Sequence, residues 1–229
     1  MRSIVFDAGP IISLTTNNLL WLLNILKQRY GGEFLIPTEV ENELVQKPIE
    51  TKRFKLEALQ VNREINRGIL TVVNDEKIHI IKQELLNIAN MCFLARGTPI
   101  KIVHEGEMAT IATAIAYGSD AIVIDERTTR ELIENPDKLA AHMSDRLHTK
   151  IEVNKKALAL FKQKVGPMRV IRSIELAIIS YELGLFDTYL TQDKYARKTL
   201  IEAILWGIKM RGASISQIEI DKLVRLEDR

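Results

Sequence analysis

Ile4–Leu14, IVFDAGPIISL, places one carboxylate, Asp7, directly after an apolar run and directly before a second apolar stretch compatible with a helix. A short β-branched and aromatic run of this kind, without polar alternation, is the pattern of a strand buried on both faces. The acid therefore sits where a central strand hands over to a helix. The same arrangement recurs at Ala121–Asp125, AIVID, followed by ERTTRELIEN. Between and around these segments, EFLIP (33–37), GILTVV (68–73) and MRVIRS (168–173) read as further short strands. IISLTTNNLLWLLNILKQRY, EVENELVQ, residues 51–68, 76–95, EGEMATIATAIAYG, IELAIISYELGLF and a tail over about 193–210 read as helices. Thr38 is expected to cap the helix that follows EFLIP, with Glu41 completing a capping box.

Short strands alternating with helices predict an α/β fold: a mostly parallel central sheet wrapped by helices in three α/β/α layers. No internal repeat, low-complexity run or linker divides the 229 residues, so one domain over 1–229 is expected. Residues 136–166 read as a basic helical insertion. From Lys138 to Arg172 nine basic residues face only Asp145 and Glu152, although the whole chain is near neutral at +2. Such a run is either a solvated helix face or a phosphate-contacting surface. The balanced net charge argues against a global attraction to nucleic acid. A single cysteine, Cys92, excludes a disulfide framework and a cysteine-based zinc site. No apolar run approaches a membrane span, and no signal-peptide pattern opens the chain, so a cytoplasmic location is expected.

In an open parallel sheet, ligands bind outside the carboxyl ends of the strands, near the reversal of strand order. Asp7 and Asp125 both end strands and so share that edge, while Glu107 and Glu43 lie early in helices fed from the same side. Singly, each has an ordinary reading as an N-cap, a dipole-compensating first-turn residue or a solvated charge. Together they form a set that repels itself unless a cation occupies it. Oxygen ligands without His or Cys favour Mg²⁺ or Mn²⁺, and such ions activate water for phosphodiester hydrolysis.

IVFDAGPIISL, IPTEVENEL, GEMATIATAIAYGSDAIVIDERTTREL and VIRSIELAIISYELGLF, in this order, resemble the PIN-domain ribonucleases, most closely the branch that includes toxin nucleases of toxin–antitoxin pairs. The likeness covers 1–135 and resumes near 168. It implies catalytic, metal-binding acids at Asp7, Glu43, Glu107 and Asp125, with Glu126 as an auxiliary ligand. It also implies a Mg²⁺- or Mn²⁺-dependent endoribonuclease, a toxin or an RNA-processing enzyme, that attacks RNA with metal-activated water and leaves a 5′-phosphate and a 3′-hydroxyl. Expected partners are RNA, a small antitoxin protein and a second copy in a homodimer, without a membrane. Arg127 and Arg130 are candidates for phosphate contact, and Lys155, Lys156, Lys162 and Lys164 for an RNA-docking arm. The chain departs from the family pattern at Gly9, where a small polar residue often stands, and at Ala109, where many relatives carry an acid. These departures leave open a non-catalytic RNA-binding or assembly protein on the same fold.

Overall fold

In the computed structural model, which describes residues 2–227, the chain runs β1 (Ser3–Phe6), α1 (Ala8–Thr16), α2 (Leu22–Tyr30) and β2 (Glu33–Pro37). It continues through α3 (Thr38–Glu41), a π-helical turn (Asn42–Gln46) and α4 (Lys47–Glu50) to α5 (Lys55–Asn66), β3 (Thr71–Val73) and α6 (Glu76–Ala89). β4 (Phe93–Ala95), β5 (Thr98–Pro99), α7 (Glu105–Tyr117), β6 (Ala121–Val123) and α8 (Arg127–Glu134) follow. Then come α9 (Pro136–Leu147), β7 (Ile151–Val153), α10 (Lys155–Val165), β8 (Val170–Ile171), α11 (Ser173–Glu182), a 3₁₀ turn (Asp187–Tyr189), α12 (Ala196–Met210) and α13 (Gln217–Glu227).

The five strands β3-β2-β1-β6-β8 form a parallel sheet, in register Ile4↔Phe34, Val5↔Ile122 and Ile122↔Val170. Side chains alternate across it. Ile4, Phe6, Phe34, Ile36 and Val123 face one apolar core with α1, α2, α11 and α12, whereas Val5, Leu35, Ile122 and Ile124 face the other with α6, α7 and α10. Every residue of β1 is buried, as a strand covered by helices on both faces requires. Strand order reverses at the β1–β6 boundary, and the acids after those two strands, Asp7 and Asp125, stand at that point. No helix among the described residues is long and apolar enough to cross a membrane.

Four expectations are corrected. The helix expected across 11–30 is broken, because Asn18 takes a left-handed conformation (φ 60°) that turns Leu19 and Leu20 into the core. Thr38 does not cap: Pro37 holds the N-cap position, and the Thr38 hydroxyl donates instead to the Val73 carbonyl (3.4 Å). The helix expected over 76–95 stops at Ala89, where the Asn90 carboxamide accepts from the Ile102 amide (2.8 Å) and Phe93 turns inward as a strand. The stretch 136–166 is not purely helical: β7 lies between its helices and joins β4 and β5 in a small antiparallel sheet. Cys92 is fully buried, and burial pushes its thiol up to about 11, as expected of an inert core residue.

Candidate active site

Asp7 caps α1, accepting from the Gly9 amide at 3.4 Å, while its own amide continues the sheet ladder to the Val123 carbonyl. Only 7% of it is exposed. Burial first, then the Glu107 charge, and further the Glu43 charge push its carboxyl up to about 7; amide donation from Ala8 and Gly9 opposes them. Glu107 opens α7 in a capping box, its carboxylate accepting from the His104 amide at 2.9 Å. Its carboxyl is raised, chiefly by burial and also by repulsion from Glu126, with the nearby His104 acting against them. Glu43 is exposed and projects from the π-helical turn; such turns often mark functional positions. Its Oε2 lies 3.7 Å from where a Cβ on Gly106 would stand, so Gly106 lets it approach the start of α7.

Asp125 is 4% exposed and has abundant donors: the Ser173 amide at 2.8 Å, the Ser173 hydroxyl at 2.7 Å and the Ser13 hydroxyl at 3.1 Å. These occupy about three of a carboxylate's four acceptor sites. A Cβ on Gly9 would lie 3.6 Å from both the Asp125 Cβ and the Asp7 Oδ2, so the two strand-end acids flank Gly9. Glu126 caps α8 through the Thr129 amide (2.6 Å). Asp7 and Asp125 thus stand beside Gly9, and Glu43 beside Gly106. Among the described residues, however, no three His, Cys, Asp or Glu side chains are grouped tightly enough to hold an ion as they stand. Glu107 accepts from the His104 amide and Asp125 from its two serines.

The basic candidates divide. Arg127 shares a groove of 750 Å³ with Glu107 and Glu126, its Nε donating to the Ser214 hydroxyl at 2.9 Å. Arg130 does not share that groove. It lines a separate 490 Å³ cavity with Arg172 and Glu219, approaches Glu134 at 3.9 Å, and buries an Nη1 that has no partner among the described residues. Lys164 is paired with Glu84 (2.6 Å). Lys155, Lys156 and Lys162 are exposed on α10, which packs on α6 through Phe161 and Val165 instead of lining the groove beside Glu107.

Sequence reasoning missed Ser13 and Ser173, although Ser173 directly follows the strand run MRVIR. It also missed Lys101 and His142, which line the groove, and took Arg146 only as part of the basic run from Lys138 to Arg172. The available signal was His142 and Arg146, one turn apart on one face of a helix.

Asp7, Glu43 and Glu107 offer the oxygen-only donors that a hard divalent ion prefers, and the charges of Glu107 and Glu43 both bear on buried Asp7, but their side chains would have to close in to hold an ion. No curated protein and no solved structure matches the chain significantly. Residues 3–137, more than half of the sequence, match the DUF3368 family model, described as a PIN domain, and the chain belongs to that nuclease-fold family.

Proposed function

We propose that this PIN-domain protein is a Mg²⁺- or Mn²⁺-dependent endoribonuclease, with Asp7, Glu43 and Glu107 holding the ion and Asp125 fixing the frame around them. The observation that carries the proposal is Asp7: a carboxyl buried at the strand-order reversal, raised to about 7 by desolvation and by two neighbouring acids. An ion held there by Asp7, Glu43 and Glu107 would supply charge neutralisation at a phosphoryl oxygen and a more acidic water.

The chain's own groups supply the rest. Asp7, Glu43 and Glu107 would hold the ion as carboxylates, and the proton that the attacking water loses passes to solvent. The water oxygen bonds to phosphorus as the P–O3′ bond breaks, and the departing 3′ oxygen takes up a proton. Arg127, beside Glu107 and Glu126, steadies the phosphate. Glu126 remains at the helix cap and adds negative charge near Glu107.

Purified protein should cleave single-stranded RNA with Mn²⁺ or Mg²⁺ and stop when EDTA is added. Asp7→Asn keeps the shape and the N-cap and should abolish cleavage; a variant cutting at the parent's rate overturns the assignment. A non-catalytic RNA-binding role is the second reading. It is favoured by the protein donors already occupying Glu107 and Asp125. RNA binding without cleavage in either metal would establish it.

A further inference from the structure

We infer that α9, most of which lies beyond the family match, forms the wall of a track for one strand of RNA, with Lys101, His142 and Arg146 as its phosphate contacts. The inference rests on the RNA-hydrolysing reading above and adds the route by which substrate reaches the acids. The 750 Å³ groove has Glu107 and Glu126 among its lining residues, and α9 supplies His142, Met143 and Arg146. Across from α9, the segment before α7 contributes Lys101 and Ile102.

The charges are arranged for a polyanion. Lys101 and Arg146 are exposed, and neither forms an ion pair among the described residues. His142 is held in place from behind: its Nδ1 lies 2.9 Å from Glu131, a carboxylate that is only 5% exposed and is also approached by Lys138 at 3.5 Å. The ring therefore has a fixed orientation, with Nε2 as its remaining hydrogen-bonding atom. Asp145 is the one acid that α9 adds to the groove, against His142 and Arg146. A phosphate chain crossing these cations is directed toward the acids, where an ion is needed to receive it.

The floor argues for a single strand over a duplex. Ile102, Met143 and Leu147 line the same groove, and a duplex keeps its base faces stacked away from such a surface, whereas an unpaired strand can lay them on it. No Phe, Tyr or Trp lines the groove, so attraction here is mainly electrostatic and must depend on salt. The basic helix α10 presents its lysines elsewhere, and they are expected to contribute little.

The test is fluorescence binding of a labelled single-stranded RNA to the full chain in EDTA across a salt series. Each single-strand phosphate contact adds about 0.7 to the slope of log affinity against log salt, so Lys101→Gln with Arg146→Gln should flatten it by about 1.4. Lys155→Gln with Lys156→Gln should leave it unchanged, and circular dichroism should show both double variants folded. His142→Ala, which removes the ring that Glu131 orients, should weaken binding at unchanged fold. Equal slopes for the parent and the Lys101/Arg146 variant, with RNA still bound, overturn the track while leaving the nuclease reading intact. A duplex of the same length binding as tightly overturns the single-strand assignment. A parent that binds no RNA at all overturns both the track and the reading beneath it.

Discussion

Replacing Asp7 by Asn should make the metal-free protein more stable above neutral pH, although it removes a residue of the proposed site. The unfolded carboxyl titrates near 3.8 and the folded one near 7. Between those values the folded state holds a proton that the unfolded state has released, so folding stability falls as pH rises through the window. The full penalty, about three pK units, is on the order of 4 kcal/mol and is complete above pH 7. Asp7 is 7% exposed, so solvent screening gives little discount. Asn keeps the helix cap and carries no charge. Urea denaturation of parent and variant at pH 5 and pH 8 should therefore show the variant gaining roughly 2–3 kcal/mol on the parent between the two. At pH 8, Mg²⁺ at 100 times its dissociation constant should return about 2.7 kcal/mol to the parent and almost nothing to the variant. Stability curves that stay parallel from pH 5 to pH 8 would show that Asp7 is not held protonated by burial and its acidic neighbours, and the physical basis of the site would fail.

Gly9→Ser should be accommodated, since a Cβ there meets only ordinary contacts at 3.6 Å, and its hydroxyl can donate to Asp7. That bond favours the charged carboxylate, so the pH-dependent loss should be complete at a lower pH and shrink by about 1 kcal/mol in the same denaturation series. Ser173→Ala removes one donor from buried Asp125 and should cost about 1–3 kcal/mol at pH 7, measured by urea midpoint at unchanged slope. Phe161→Ala, at a fully buried position of α10, should cost about 3–5 kcal/mol and loosen α10 from α6, visible as faster amide exchange in α10.

The architecture was legible because its strands are short and apolar on both faces: SIVF, EFLIP and AIV admit few readings once helices separate them. Gly31 and Gly118 mark helix ends through left-handed conformations, and both are found there. What escaped was the local chemistry of single side chains. Asn17 and Asn18 interrupt an apolar helical pattern whose periodicity continues across them, so the break depends on backbone conformation and not on hydrophobicity. β7 is three residues long and exists through pairing with β4, some 58 residues earlier, a contact that local sequence cannot express. The positions of the acids along the sheet edge were readable from spacing. Their orientations were not, because these depend on Ser13, Ser173 and the His104 amide, donors brought in by other elements.

The two strand-end aspartates show how those donors separate one residue type into two roles. Both follow parallel neighbouring strands, and both are almost fully buried. Asp125 receives three hydrogen bonds, two from Ser173 at the start of α11 and one from Ser13 in α1, and so ties β6 to the helices that follow β8 and β1. A buried carboxylate with that many donors is fixed in place by hydrogen bonding. Asp7 has the Gly9 amide at 3.4 Å and faces the repulsion of Glu43 and Glu107. Its charge is the uncompensated one, and a proton or a divalent ion must compensate it. The same burial therefore leaves Asp125 anchored by donors and Asp7 short of them, with Gly9 standing beside Asp7 where a hydroxyl-bearing residue would have supplied one.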